Sequence, residues 1–150
     1  HIAEVEIDPE TGSVWLVRHG TVDDTGNPIN PMIVEGQLHG GIAQGASQVL
    51  LEHSVYDSEG QLLTGSFMDY AMPRADDFPF FESSTYTDAP CLTNSLGAKG
   101  VGEIGVVGSI PAIANAILDA LWDRGVRNFN MPAHPQKIWN LLQNVNNVTD

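Results

Sequence analysis

The sequence predicts an α+β fold in a single domain over residues 1–150, with mixed strands, two long helices and a short C-terminal helix. Apolar residues alternate at the start of the chain, as in a strand, and later recur at helical spacing in two long stretches. Strands and helices do not alternate regularly, which favours α+β over a doubly wound α/β sheet. The 150 residues, 42% of them hydrophobic, suffice for one core.

The first predicted unit is a β-hairpin. Ile2, Val5 and Ile7 alternate with other residues, residues 8–12 (DPETG) have the composition of a turn, and residues 14–22 form the return strand. The middle of the chain has three further predicted segments: strand, turn and strand at 55–63, an irregular connection at 65–77, and a strand at 80–87.

The first long helix is predicted over residues 34–53, and Pro31 suits a first helical turn. Residues 36–51 include no Asp, Glu, Lys or Arg. One side of this helix is apolar, with Leu38, Ile42, Ala46, Val49 and Leu50. The other side carries carboxamides and bare backbone, at Gln37, Gly40, Gly41, Gln44, Gly45 and Gln48. Such a face suits burial against a polar, uncharged or anionic group, or close packing on another helix through its glycines.

Residues 104–124 contain the second long helix, with Ser109 as the predicted N-cap, Pro111 in the first turn and an end at Arg124-Gly125. Its apolar stripe comprises Ile110, Ile113, Ala114, Ile117 and Leu121. A short last helix is predicted over residues 132–145, with Pro135 at its start and Ile138, Leu141, Leu142 and Val145 directed inward.

The composition excludes several classes of function. A net charge of −13 argues against nucleic acid or an anionic membrane as a partner. No apolar run approaches about 20 residues, so we expect no transmembrane segment, and without a signal peptide the expected location is the cytoplasm. His1 begins a pattern typical of the middle of a strand, so we expect the chain to be the C-terminal part of something longer.

The common metal-site and dinucleotide-site motifs do not indicate a functional site in this sequence. The five histidines lack zinc-ligand spacing and Cys91 is the only cysteine, so we predict no metal site and a structural cysteine. Residues 100–105 (GVGEIG) match the dinucleotide pattern G-x-G-x-x-G. The context argues against it, because no clear buried strand precedes the pattern and the acids about 20 residues later, Asp119 and Asp123, lie inside a predicted helix.

The densest feature is a glycine-rich loop, residues 94–105 (NSLGAKGVGEIG). Four glycines within nine residues indicate a sharp turn or a close approach of the backbone. The loop contains one cation, Lys99, and one acid, Glu103. A carboxylate on a tight loop before a helix is a candidate general base. It is also compatible with an acid that simply favours the helix dipole.

Four blocks, in this order, resemble the molybdopterin-binding large subunit of the xanthine oxidase, aldehyde oxidase and carbon monoxide dehydrogenase family. They are residues 24–31 (DTGNPINP), 34–45 (VEGQLHGGIAQG), 65–73 (GSFMDYAMP) and 97–103 (GAKGVGE). The resemblance runs from about Val22 to about Leu142, within the C-terminal part of the family's subunit. Ser95 departs from it, at a position where proline is common.

The resemblance implies a molybdenum hydroxylase, a molybdenum-dependent oxidoreductase. Glu103 would be the base that takes a proton from the water-derived oxygen attacking an electron-poor carbon. Gln37 would contact the pterin cofactor, and Gly40, Gly41 and Gln44 share its predicted helix face. Lys99 would either act on the Glu103 carboxylate or brace the loop. The cofactor-binding set is completed by the loop residues Lys99, Gly100, Val101 and Gly102.

The resemblance also implies partners and cofactors that the chain itself does not supply. They are the rest of the subunit, iron–sulfur clusters and FAD on other domains or subunits, and a molybdopterin-type cofactor, expected in its cytosine dinucleotide form. The substrate would be an aldehyde, an N-heterocycle or related small molecule, or carbon monoxide. By itself the chain would supply one wall and the base, and would be inactive. The alternative is a non-catalytic assembly or binding domain that reuses the fold.

Overall fold

The computed structural model describes residues 1–146. The strands are β1 (Ile2–Ile7), β2 (Val14–Asp24) and β3 (Glu82–Tyr86). The helices are α1 (Pro31–Leu50), α2 (Ile104–Trp122) and α3 (Pro135–Asn146), and a short 3-10 turn covers Ala75–Asp77. This combination confirms the predicted α+β class. The side chain of Val145 lies outside the described residues.

The three strands form one mixed sheet in the order β1-β2-β3. The predicted hairpin is confirmed, because β1 and β2 pair antiparallel. Gly12 closes its turn with a φ of 75° and donates its amide hydrogen to the Asp8 carbonyl at 2.7 Å. Glycine adopts this left-handed conformation without steric cost. β2 continues to Asp24, two residues beyond the predicted end at Val22.

β3 pairs parallel with β2, and α1 lies in the connection between them. The carboxyl ends of both strands therefore lie at one edge of the sheet, where Asp24 is paired with Tyr86. The amide of Thr25 donates to the Tyr86 carbonyl at 3.2 Å and extends this pairing. From this edge the chain turns into α1, so residues 24–31 connect the end of the sheet to the start of the helix.

The predicted strand pair at 55–63 is wrong. The segment is a tight turn closed by a single bridge between Tyr56 and Leu62, with the Leu63 amide donating to the Val55 carbonyl at 2.8 Å. An isolated two-stranded ribbon is marginal in water without a third strand or a helix to cover it. Tyr56 is 60% exposed, so burial contributes little to extending the pairing.

The core lies between the sheet and the helices. The apolar side of α1, the stripe of α2 and the inner side of α3 meet there, as the sequence patterns predicted. Its buried members include Leu16, Ile42, Ala46, Val49, Ile113, Ile117, Leu121, Ile138 and Leu142.

Helices α1 and α2 pack through glycine. A Cβ atom placed on Gly105 would lie 2.7 Å from the Leu38 carbonyl oxygen and 3.0 Å from the Gly41 Cα. A Cβ atom on Gly45 would overlap the Ser109 side chain. Only glycine permits backbones to approach this closely. The helix-packing interpretation of the α1 glycines is therefore confirmed for Gly41 and Gly45.

The predicted N-terminus of α2 at Ser109 is wrong. The helix begins at Ile104 with Glu103 at the N-cap, so Ser109 and Pro111 lie inside it. Ser109 is fully buried, and its hydroxyl donates to the Val106 carbonyl at 3.3 Å instead of capping. The close packing against Gly41 and Gly45 stabilises this early helical part and overrides the local preference of proline for a first turn.

α2 also differs from the expectation that no segment has membrane-spanning length. The helix has 19 residues, and an 18-residue window of it has a mean hydropathy of 1.7. By length and composition alone it could therefore cross a bilayer. Ile113, Ile117 and Leu121 are at most 2% exposed because they form part of the core described above. A core helix passes the same length and composition test, so this is weak evidence for a membrane span.

Candidate functional site

The site is built around the base of the glycine-rich loop, which is bonded to the end of β2. The Lys99 amide donates to the Thr25 carbonyl at 3.3 Å, and Gly26 and Ala98 form an isolated antiparallel bridge. Asn27 donates its backbone amide to the Gly97 carbonyl at 3.0 Å. Together these bonds fasten the loop to the connection that leads into α1.

Two glycines make this fastening possible. Gly26 and Gly97 have φ values of 58° and 68°, a region that L side chains rarely adopt. A Cβ atom on Gly97 would lie 2.7 Å from the Asn27 amide nitrogen and 3.0 Å from the Pro90 Cβ. The Gly97 carbonyl also accepts from the Cys91 amide at 2.9 Å. Cys91 therefore lies in the base of the loop.

An ion pair completes the contacts at the base of the glycine-rich loop. Lys99 Nζ donates to Asp24 Oδ2 at 2.5 Å, with the two side chains 32% and 42% exposed. This hydrogen bond from Lys99 holds the pKa of Asp24 below its usual value, and a second bond from the Gly26 amide adds to the effect. The structure thus gives Lys99 a carboxylate partner on β2, which supports bracing of the loop.

Glu103 stands at the start of α2. Its carbonyl accepts from the Val107 amide at 3.0 Å, whereas its carboxylate makes no capping hydrogen bond. The residue is exposed. The carboxylate is therefore accessible to a neighbouring molecule, which is a geometric requirement for a general base.

Gln37 of α1 meets the loop from the opposite side. A Cβ atom placed on Gly102 would lie 3.7 Å from Gln37 Nε2. That is the nearest atom apart from those of Gly102 and its two neighbours in the chain. Both residues are exposed. The contact between Gly41 and Gly105 fixes this arrangement, since Gln37 lies about one helical turn before Gly41 and Gly102 three residues before Gly105.

The other predicted site residues divide into two groups. Gly40 and Gln44 of α1 and Gly100 of the loop are exposed, and Val101 is half-buried. Around Gly40 and Gly100 there is open space where a Cβ atom would stand. Gly41 is instead buried in the contact with α2, so its backbone does not belong to the open face.

The open face suits a large polar group better than a bare metal ion. Its donors are the side-chain amides of Gln37 and Gln44, and beside them the backbone at Gly40 and Gly100 is not covered by any side chain. Within the described residues no group of three or more His, Cys, Asp or Glu could hold a metal ion. Uncharged amide donors can bind the polar ring and phosphate atoms of an organic cofactor. The residues present therefore fit a pterin-type group that brings its own metal.

The histidines are positioned for packing or local bonding. His19 is 1% exposed and lies edge-on to Phe81, with ring centroids 5.9 Å apart, and neither of its ring nitrogens has a hydrogen-bond partner among the described residues. His39 shares a hydrogen bond with the Ser83 hydroxyl at 3.1 Å. The rings of His53 and His134 lie beside each other in a tilted arrangement, with centroids 5.8 Å apart.

Asp24 is a residue of the site that the sequence did not single out. It lies at the start of the block 24–31, two residues after the predicted end of the return strand at Val22. Its partner Lys99 is 75 residues away. The available signal was chemical: Lys99 is the loop's one cation, and Asp24 is a carboxylate close after the predicted return strand.

Comparison with known proteins gives concordant matches. Residues 1–79 match the sequence profile of a family described as a molybdopterin cofactor-binding domain. The chain is 39% identical over 145 residues to the 6-hydroxypseudooxynicotine dehydrogenase complex subunit gamma of Paenarthrobacter nicotinovorans, covering 97% of the chain and 18% of that protein. It is 38% identical over 146 residues to the carbon monoxide dehydrogenase large chain of Hydrogenophaga pseudoflava, with the same two coverages.

Solved structures agree with the sequence matches. Reconstituted CO dehydrogenase from Oligotropha carboxidovorans superposes with a TM-score of 0.90 at 34% identity, covering 96% of the chain and 18% of that structure. Quinoline 2-oxidoreductase from Pseudomonas putida 86 superposes with a TM-score of 0.88 at 39% identity, covering 93% and 18%. The chain therefore spans about a fifth of the length of these relatives, 18% in each case.

Proposed function

This chain belongs to the family of molybdopterin cofactor-binding domains. On that premise we propose that it forms part of the active site of a molybdenum hydroxylase, with Glu103 as the catalytic base. The observation that carries the proposal is the proximity of two walls: a Cβ atom placed on Gly102, directly before Glu103, would lie 3.7 Å from Gln37 Nε2 of α1. One wall offers amide donors and the other offers an accessible carboxylate.

The cofactor, when bound, supplies the redox chemistry by which a small molecule is oxidised with water-derived oxygen. Gln37 would hold it through the side-chain amide, while Gly40, Gly100 and Gly102 allow it to approach the backbone closely. The carboxylate of Glu103 would take up the proton that the water-derived oxygen loses as that oxygen attacks an electron-poor carbon. Lys99 is paired with Asp24 at the base of the loop.

The intact protein would be longer than this chain. Relatives of which it spans 18% support a larger subunit. We propose that these residues form the C-terminal part of that molybdopterin-binding subunit. We propose that this subunit carries the cofactor in its cytosine dinucleotide form and works in the cytoplasm. Iron–sulfur and flavin domains or subunits would accept the electrons. The substrate would be an aldehyde, an N-heterocycle or related small molecule, or carbon monoxide. Similar proteins named as a carbon monoxide dehydrogenase, a nicotine hydroxylase and an aldehyde oxidoreductase support these classes.

A non-catalytic assembly or binding domain with the same fold is the rival function. The two are separated by measuring molybdenum content and dye-linked oxidation on the purified intact protein. A hydroxylase binds close to one molybdenum per subunit and oxidises at least one member of a panel of aldehydes, N-heterocycles and carbon monoxide. A folded protein without molybdenum and without oxidation of any member would support the rival.

A further inference from the structure

Beneath the proposed base lies a clasp that the proposed function does not itself require, formed by residues 24–27 and residues 96–99. Three kinds of contact build it. Backbone hydrogen bonds join Lys99 to Thr25 and Asn27 to Gly97, the Asn27 side-chain amide donates to the Leu96 carbonyl at 3.0 Å, and the ion pair joins Lys99 to Asp24. The two segments are about 70 residues apart in sequence, 69 for the pair of Asn27 and Leu96.

The segment between the clasp and α2 has little else to fix it. Among the described residues, residues 100–102 make no backbone hydrogen bond to another part of the chain outside the helix. Gly100 has no atom within 4 Å of a Cβ position, and the nearest atom to such a position on Gly102 is 3.7 Å away. Glycines impose little stiffness of their own. The direction in which the loop reaches Glu103 therefore depends on its two ends, which are the clasp and the first turn of α2.

The ion pair in the clasp differs from the other Lys or Arg pair in the described residues. Arg18 and Glu82 lie 3.2 Å apart across the sheet, with side chains 66% and 68% exposed. Exposed pairs of that kind contribute little to stability. Asp24 and Lys99 are less exposed, are 2.5 Å apart and share their segment with the backbone bonds of the clasp. Arg18 and Glu82 thus provide a matched control.

We propose that Asp24 is a positioning residue for the reaction, which acts through Lys99 to hold the glycine-rich loop and so to direct the Glu103 carboxylate. This inference rests on the proposed function of Glu103. The Asp24 carboxylate accepts hydrogen bonds from Lys99 Nζ and from the Gly26 amide, both at the base of the loop. Its carboxylate fixes the cation at the base of the loop, and the loop transmits that position over four residues to Glu103.

The test uses the intact enzyme with Asp24→Asn, Lys99→Met, Lys99→Arg and the control Glu82→Gln. Because a small misplacement of a catalytic group lowers the rate of chemistry, we expect Asp24→Asn and Lys99→Met to lower kcat about tenfold to a hundredfold. KM and molybdenum content should stay within about twofold, because the Gln37 wall is unchanged. Lys99→Arg, which keeps a cation that can bond Asp24, should retain most of the native kcat. Glu82→Gln should match the native enzyme.

Hydrogen exchange supplies a second readout that does not depend on turnover. The amides of Asn27 and Lys99 should exchange several-fold faster in Asp24→Asn, and those in the middle of α1 should not change. Native kcat in Asp24→Asn, or unchanged exchange at both amides, would overturn the positioning role. A loss of molybdenum in parallel with kcat would also overturn it, because the pair would then support cofactor binding only.

These outcomes remain separate from the fate of the proposed function. If Glu103→Gln retains native turnover, the role of Glu103 fails whatever Asp24→Asn does. If Glu103→Gln abolishes turnover while Asp24→Asn and Lys99→Met leave it intact, Glu103 stands as the base and the clasp has no positioning role.

Discussion

Gly41 of α1 and Gly105 of α2 lie so close that a Cβ atom on either would be within about 3 Å of the other's backbone, at 2.9 and 3.0 Å from the opposing Cα atoms. This contact sets the relative position of the two walls of the site. Gln37 precedes Gly41 on one helix, and Glu103 is two residues before Gly105 at the start of the other. The packing of the domain and the geometry of its candidate site therefore depend on the same pair of glycines.

Replacing Gly41 tests this contact. A Cβ atom there would lie 2.8 Å from the Val106 amide nitrogen, so Gly41→Ala must move α2 and should lower the free energy of unfolding by about 1–3 kcal/mol. Gly36→Ala is the matched control, because its Cβ atom would enter open space on the same helix. There alanine should stabilise the helix by about 0.5–1 kcal/mol. Denaturant unfolding of the two variants measures both, and equal effects would contradict close packing at Gly41.

Replacing Gly97 tests the base of the loop. Gly97→Ala meets both a left-handed φ of 68° and the Asn27 side chain at 2.7 Å. Gly60 has a φ of 83° in open surroundings, so Gly60→Ala isolates the conformational cost, about 1 kcal/mol. We expect Gly97→Ala to be more destabilising than Gly60→Ala by thermal unfolding. Equal losses in the two variants would mean that the Asn27 side chain yields freely and the loop base is loosely packed.

The buried His19 predicts a pH dependence of stability. Burial lowers the pKa of the His19 ring below its ordinary value, an effect that nearby Asp23 partly opposes. His1 and Phe81 also lie against the ring. The unfolded chain therefore binds a proton more readily than the folded chain does. Stability from this site is present above the unfolded pKa of about 6.5 and declines as the pH falls toward the folded pKa.

The measurement is the melting temperature of the native protein and of His19→Leu between pH 7.5 and pH 5.5. Over this pH range the melting temperature of the native protein should fall further than that of the variant, because leucine takes up no proton. Equal pH slopes would show that His19 is solvated or finds a hydrogen-bond partner in the folded protein.

The cofactor wall can be tested at Gln37. In the intact protein Gln37→Glu replaces an amide donor with a carboxylate, which repels an anionic cofactor, and we expect molybdenum and pterin content to fall about tenfold. Gln48→Glu is the control, since Gln48 is exposed on the same helix three turns away. Its cofactor content should equal that of the native protein. Native cofactor content in Gln37→Glu would remove Gln37 from the wall.

Local sequence patterns predicted the positions of the helices and strands better than they predicted which of these elements pack together. The hairpin around Gly12, the body of α1 and the short helix α3 follow from turn residues and apolar spacing, which are local properties of the sequence. The start of α2 was misplaced at Ser109, because a serine and a proline together indicate an N-terminus. The packing of Gly41 and Gly45 against α2, which keeps the helix intact around Pro111, is a tertiary effect that no local pattern contains.

The site was predicted only in part, because some of its contacts are also tertiary and no local pattern contains them. Glu103 and Gln37 were identified from the loop composition and the resemblance, and the structure brings their two segments together. The pairing of Asp24 with Lys99 joins residues 75 positions apart, so only the folded chain shows it. The uncharged face of α1 left two interpretations open, and the structure divides it between them. Gly41 and Gly45 pack on α2, whereas Gln37, Gly40 and Gln44 remain exposed.

The most direct test of the proposed function is the turnover number of Glu103→Gln in the intact enzyme, measured per bound molybdenum. Glutamine preserves the shape of the side chain and cannot accept the proton, so we expect the molybdenum content to equal that of the native enzyme and the turnover number to fall by about 10²- to 10⁴-fold. A turnover number within about threefold of the native value at full molybdenum content would contradict the assignment of Glu103 as the base.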